Sequence, residues 1–223
     1  MRLTLFDLDG TLIPTDSDHA FGEFVIELGW ADGTAHRRAN DRFYQQYVDG
    51  VLDIAAYVDF TTGPWRDRPL EELAAARRRF VEEFARPALR ESALSLVRRH
   101  QAEGDLVAIV TATNAFVTRP IADLFGVPEL IATELDTDDA GRVTGAIRGQ
   151  PSFRDGKIGR VQDWLAGRGL GLDDFERSTF YSDSTNDLPL LERVSHPVAT
   201  NPGPALEKIA NERGWPILRL FDT

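Results

Sequence analysis

Apolar positions along the chain repeat with two different periods. Five short runs rich in β-branched or aromatic residues have the length and composition of buried strands: Arg2 to Leu8, Leu106 to Val110, Leu130 to Thr133, Thr179 to Tyr181 and Pro197 to Ala199. Between them, apolar residues recur at spacings of three, four and seven, which is the stripe of an amphipathic helix. Val117, Ile121, Leu124 and Phe125 form one such stripe, Ile158, Val161 and Leu165 a second, and Leu188 with Leu191 a third. Strands alternating with helices predict an α/β protein with a doubly wound, mostly parallel sheet covered on both faces.

The stretch from Pro14 to Pro87 breaks this alternation, because it contains no good strand. Phe21, Phe24, Val25 and Leu28 make one helical stripe there, and Leu73, Ala76, Phe80 and Phe84 another. A structureless loop of that length does not fit a compact domain, so the pattern predicts an α-helical cap subdomain inserted after the first strand. The expected division is residues 1–14 with 88–223 as a Rossmann-like core and 15–87 as the cap. AAARRR, Ala74 to Arg79, reads as the solvated side of a cap helix, and RVTGAIR, Arg142 to Arg148, after a DDAG turn, as a protruding hairpin.

Composition narrows the function. The 223 residues carry 25 basic and 36 acidic side chains, a net charge of −11. Such a surface repels nucleic acid phosphates and anionic lipid, so neither nucleic acid nor membrane is an expected partner. There is no cysteine, which removes thiolate metal sites and thiol nucleophiles together. Acidic residues at positions 7 and 9 interrupt any signal-peptide core, and the apolar runs are too short to span a bilayer, so a cytoplasmic protein is expected.

The densest chemistry is DLDGTL, Asp7 to Leu12, directly after the first predicted strand. Ligands of open α/β sheets bind beyond the carboxyl ends of strands, which is where Asp7 and Asp9 fall. Two carboxylates this close repel unless a cation or a proton lies between them, and oxygen ligands without sulfur or histidine select Mg²⁺.

DLDGTL resembles the first motif of the haloacid dehalogenase superfamily, and three further motifs follow in that family's order. VAIVTAT supplies Thr111 at a strand end, Lys157 stands at a helix start in a chain with two lysines and 23 arginines, and YSDSTNDLPLL supplies Asp183, Asn186 and Asp187. The whole is most similar to the phosphoserine-phosphatase-like branch, which has a helical cap between motifs one and two. The resemblance implies a phosphomonoesterase acting on a small phosphorylated metabolite through an aspartyl-phosphate. Asp7 is then the nucleophile, Asp9 the general acid and later base, and Lys157 the charge partner of Asp7 and phosphate. Mg²⁺ is expected on Asp7, Asp9, Asp183 and Asp187, with substrate or phosphate contacts from Gly10, Thr111, Ala112, Thr113, Asp16 and Asn186. The connections Pro14 to Ser17 and Phe84 to Ala88 are the expected hinges of the cap.

The resemblance also carries a departure. In phosphoserine phosphatases a cap Glu nine residues after the nucleophile and a cap Arg hold the two ends of the substrate. Here the ninth residue is Asp16, and Gly50 to Phe60 contains no basic residue. A substrate carboxylate would have no Arg fork to meet it. Asp16, Asp18 and Asp59 are either surface acids or favour a cationic leaving group of the histidinol, ethanolamine or choline kind; Phe21 and Trp65 read first as core packing, with an aromatic wall as the alternative. Phosphoserine, a phosphotransferase or mutase outcome on the same fold, and a phospho-receiver signalling domain are the alternatives.

Overall fold

The computed structural model describes residues 1–221. In chain order its elements are β1 (Arg2–Phe6), α1 (Ser17–Glu27), α2 (Gly33–Val48), α3 (Ile54–Thr62), α4 (Leu70–Phe80), a π-helical turn (Val81–Ala85), α5 (Arg86–Ala88) and α6 (Glu91–Ala102). There follow β2 (Leu106–Asn114), α7 (Ala115–Leu124), β3 (Leu130–Thr133), β4 (Leu135–Thr137), β5 (Val143–Ile147) and α8 (Asp155–Ala166). The last are β6 (Arg177–Ser182), α9 (Leu188–Leu191), β7 (His196–Thr200), α10 (Pro204–Arg213) and β8 (Ile217–Leu218).

Six strands form one sheet in the order β3-β2-β1-β6-β7-β8, and every neighbouring pair is parallel. The chain builds outward from β1 to β3 and then crosses back to β6, so β1 lies at the topological switch point, where such sheets bind ligands. Alternate residues feed opposite faces. Phe6, Val107 and Ile109 pack with α6 and α7, whereas Leu3, Leu5, Ala108 and Val110 pack with α8, α9 and α10. The doubly wound arrangement read from the sequence is therefore present.

All five predicted strands exist, Leu130–Thr133 with its predicted ends and the other four with shifted ends. β2 runs on to Asn114, four residues past its predicted end, with a register irregularity against β3 between Val110 and Asn114. β1 stops two residues short of Leu8. The Leu8 carbonyl accepts the backbone N–H of Thr11, Leu12 and Ile13 at 2.8–3.3 Å, and Gly10 at φ +74° turns the chain there. The hairpin is β4 with β5, antiparallel and separate from the main sheet.

Residues Ser17 to Ala88 are helical and linking segments without a strand, as the pattern predicts. Their apolar interior continues into the face covered by α7. Phe21 meets Phe80 at 5.0 Å between ring centroids, and Trp65 stacks on Phe116 of α7 at 4.4 Å. Phe21 and Trp65 are thus spent on core packing, not on a wall of a pocket. Within AAARRR, Arg78 and Arg79 are exposed, Ala76 is buried, and Arg77 lies over the Phe116 ring.

Leu5, in the middle of the central strand, is fully buried. Leu5→Ala is expected to cost about 2–5 kcal/mol, the usual range for a truncated core leucine. A urea titration checks this: the midpoint should fall with little change in slope, and an unchanged midpoint would contradict the packing described.

Candidate active site

Three neighbouring strand ends meet at the switch point: β1 delivers Asp7, β2 carries Thr111, and β6 delivers Asp183. Asp7 is 3% exposed, and its backbone N–H donates to the Tyr181 carbonyl, which fixes it as the last rung beside β6. Lys157, in the first turn of α8, is 1% exposed and donates from Nζ to Asp7 Oδ1 at 2.7 Å and to Asp187 Oδ2 at 2.9 Å. Ser182 Oγ donates to Asp187 at 2.7 Å. Asp187 is therefore occupied in holding the lysine.

Asp183 is built differently. Thr11 Oγ1 donates to Asp183 Oδ1 at 3.1 Å and accepts from the Asp183 N–H at 3.0 Å, tying the DLDGTL turn to the end of β6. A Cβ on Gly10 would lie 2.3 Å from Asp183 Oδ2, so only glycine lets the turn close on that carboxylate. The turn is clamped from behind by Asn201, at φ +47°, whose Nδ2 donates to the carbonyls of Gly10 and Thr11 at 3.0 and 3.1 Å.

Asp9 points away from Asp7 toward the helical segment, where the Ser17 N–H donates to Oδ1 at 2.7 Å and Thr113 Oγ1 to Oδ2 at 3.0 Å. Thr111 is buried at 1% exposure, and its Oγ1 accepts the Thr113 N–H at 3.2 Å. Asn186 does not face the phosphate side in this arrangement. Its Nδ2 donates to the Tyr47 carbonyl at the end of α2, and its Oδ1 accepts from Arg154 Nε. Arg154 holds φ +52°, and Gly50 makes room for it, since a Cβ there would be 2.4 Å from the guanidinium.

Above Asp7 lies a cavity of about 500 Å³, counting the part open to solvent, whose lining includes Asp16, Asp18, Phe43, Tyr44, Tyr47 and Tyr57. Asp7, Asp9, Thr111, Ala112 and Thr113 form its floor. Neither Lys nor Arg lines it. Asp16 caps α1, accepting the His19 N–H at 2.8 Å. Asp59 is exposed and paired with Arg66 beneath β5, so the substrate-facing part considered for it does not hold.

Electrostatically the site is overloaded with acid. Burial pushes Asp7 up to about 7 against the pull of Lys157, and burial followed by repulsion from Asp16 does the same to Asp9. Burial, then Asp7 and Asp187, hold Asp183 well above the usual carboxylate range. Burial works against the Lys157 ammonium, yet Asp187 and Asp7 hold its pKa above the ordinary value. The donor set that remains, carboxylate oxygens with one ammonium, fits a hard divalent cation between Asp7 and Asp183. A second group, His100, Glu103 and Asp105, lies at the amino ends of the strands, away from this site. Asp105 there already accepts from Arg2, Thr4 and His100 at 2.7–2.9 Å.

Sequence reasoning missed Thr11, Ser182 and Asn201, and the tyrosines over the cavity. Thr11 and Ser182 lay inside motifs already singled out, and Asn201 was signalled by its place in ATNPG after a strand. The tyrosines lie on α2 and α3, whose registers the sequence pattern did not resolve.

With this geometry established, comparison with known proteins gives the class. The haloacid dehalogenase-like hydrolase family matches residues 4–192, and the chain belongs to that family as an enzyme of its phosphatase type. It is 45% identical over 217 residues to a histidinol-phosphatase of Neisseria meningitidis serogroup C, covering 97% of this chain and 98% of that protein. A crystal structure of a protein of unknown function from Bordetella pertussis superimposes with a TM-score of 0.93 at 50% identity, covering 99% of each chain. A substrate-bound phosphoserine phosphatase superimposes with a TM-score of 0.68 at 18% identity, covering 97% of this chain and 91% of that one, which shows a shared fold. Among the described residues no helix is long and apolar enough to cross a membrane.

A carboxyl group with a raised folded pKa binds more protons folded than unfolded, so its contribution to stability is present at low pH and lost as pH rises through that pKa. For Asp7 and Asp9 the loss runs from roughly pH 4 up to about 7, while the Lys157 contribution stays constant there. In chelator, the melting temperature should therefore fall across this window, and Asp183→Asn should melt higher than the parent at pH 8. A thermal melt series checks both, and a variant that melts lower would refute the uncompensated charge at Asp183.

Proposed function

We propose that this protein is a Mg²⁺-dependent phosphomonoesterase working through phosphorylated Asp7, on a small metabolite whose leaving group is cationic, of the histidinol phosphate type. The observation that carries the reading is one cavity with Asp7 at its floor, acids and aromatic rings at its far side, and no basic residue in its lining. A leaving group bearing a carboxylate, as in phosphoserine, would find only like charge there; an ammonium or imidazolium finds partners. The 45% identity to a histidinol-phosphatase over nearly the full length of both chains supports the same class.

Asp7 attacks phosphorus and forms an O–P bond as the bond to the leaving oxygen breaks. Asp9 delivers a proton to that oxygen. In the second step water attacks phosphorus, gives its proton to Asp9, and the Asp7–phosphorus bond breaks to release phosphate. Asp9, pushed up to about 7 by burial and Asp16, has a proton affinity suited to both directions near neutral pH. Lys157, bonded to Asp7 Oδ1, pulls the Asp7 pKa down against burial and is the charge partner of the transferred phosphoryl group from behind Asp7, while Gly10, Thr111, Ala112 and Thr113 border the phosphoryl oxygens. Asp7, Asp183 and the Asp9 carbonyl would hold the Mg²⁺, which supplies charge neutralisation at the phosphoryl group.

The cap, residues 15–87, is the moving part in this reading. Its second connection, Phe84 to Ala88, begins inside the π-helical turn Val81–Ala85, an irregular winding that often marks functional sites.

Asp7→Asn should lower turnover by a factor on the order of 10³ or more with an unchanged circular dichroism spectrum. Full activity in a variant confirmed by mass spectrometry would remove Asp7 as nucleophile. Phosphate release from histidinol phosphate, phosphoethanolamine, phosphocholine and phosphoserine, with Mg²⁺ and with chelator, tests the substrate class. Cationic leaving groups should be preferred and chelator should abolish release; a clear preference for phosphoserine would overturn the charge argument.

A further inference from the structure

Asp18 is a carboxylate that the fold buries without an ionic partner. It is 5% exposed, lines the cavity above Asp7, and takes part in no ion pair among the described residues. Its contacts are neutral: Asn114 Nδ2 at 3.4 Å, from the end of β2, and the Tyr57 phenol, from α3. Asn114 is itself fixed by accepting the Val117 N–H through its Oδ1 at the start of α7.

Local structure does not account for this arrangement. Asp18 sits in the first turn of α1, where a carboxylate gains from the helix dipole, but the cap position is already filled by Asp16. A surface aspartate would serve the dipole equally well without desolvation. Instead the side chain is placed 5% exposed beside a second acid, and burial followed by the repulsion of Asp16 raises its pKa to about 7. A buried, unpaired carboxylate is destabilising unless something positive or a strong donor meets it, and the cavity is the open side.

We infer that Asp18, aligned by Asn114 from the core and Tyr57 from the cap, is the specificity-determining anchor for a second nitrogen donor on the leaving group. The inference rests on the phosphomonoesterase reading and narrows its substrate class. Asp16 and Asp18 both line the cavity, two residues apart at the start of α1, so the pair suits a leaving group with two nitrogen donors, one ammonium and one ring N–H or imidazolium. The aromatic faces of Phe43, Tyr44 and Tyr57 suit a flat cationic ring beside that donor. One of the two partners comes from the strand that carries Thr111 and the other from the helical insertion, so the anchor is complete only when the two are apposed.

The test is a comparison of kcat/KM for three esters in the parent, Asp18→Asn and Tyr57→Phe enzymes with Mg²⁺. Histidinol phosphate offers two nitrogen donors, phosphoethanolamine one, and 4-nitrophenyl phosphate none. In Asp18→Asn the ratio of histidinol phosphate to 4-nitrophenyl phosphate efficiency should drop roughly 10- to 100-fold, mostly through KM, the range for losing a charge-assisted bond in a closed site. The ratio for phosphoethanolamine should move much less. Tyr57→Phe should shift the first ratio in the same direction by a smaller factor, and it decides the matter should Asp18→Asn not fold. Inhibition by histidinol should weaken in parallel. Ratios unchanged within about threefold, with all esters still hydrolysed, would overturn the anchor and leave the phosphatase reading standing; a parent enzyme inactive on all three would overturn both.

Discussion

Six aspartates, Asp7, Asp9, Asp16, Asp18, Asp183 and Asp187, gather at one end of the sheet around a single buried ammonium, that of Lys157. Carboxylates taken out of water repel one another strongly, and a chain left to itself would splay them into solvent. The fold prevents this by placing β1, β2 and β6 side by side and parallel, so that the residues after them have no other place to go. Lys157 then neutralises part of the charge through bonds to Asp7 and Asp187, with Ser182 Oγ donating to the same Oδ2 of Asp187. What is left over, at Asp183 and Asp7, is negative charge of the kind a divalent cation would balance.

Much of this was legible in the residues. DLDGTL after an apolar run, Thr111 at the end of another, Lys157 and SDSTND arrive in an order that has few explanations, and each does reach the same sheet edge. The central strands were readable because their residues are buried on both faces, which makes continuous apolar runs such as VAIV. The short edge strand β8 was not, since Ile217 and Leu218 give no period to count. Helix α2 was equally opaque. GTAHRRANDRFYQQYV buries only His36 and Asn40, so it has no apolar stripe, and its tyrosines reach the cavity by tertiary placement alone. Asp59 was considered because it falls in the stretch where the resembling enzymes carry a cap Arg, but α3 turns it toward Arg66 and the hairpin.

The roof and floor of the cavity communicate through polar contacts more than through apolar ones. Asn186, next to the Lys157 partner Asp187, bonds the last turn of α2, and the strained Arg154 bonds Asn186 in turn. On the other side Asp18 links α1 to Asn114 and Tyr57. Bonds of this kind exchange readily with water, so this boundary is held less firmly than one closed by apolar packing. The aromatic cluster of Phe21, Phe80, Trp65 and Phe116 has no such freedom and pins the base of the insertion to α7.

Asn201 gives the site a dependence on a distant stretch of chain. While its Nδ2 grips the carbonyls of Gly10 and Thr11, its Oδ1 accepts the backbone N–H of Leu220, whose carbonyl in turn accepts from Ser92 Oγ. The DLDGTL turn is thus moored to the segment that follows β8. A fusion partner or proteolytic nick that pulled Leu220 away would slacken that turn without touching any acid in it, and could pass for a chemical defect.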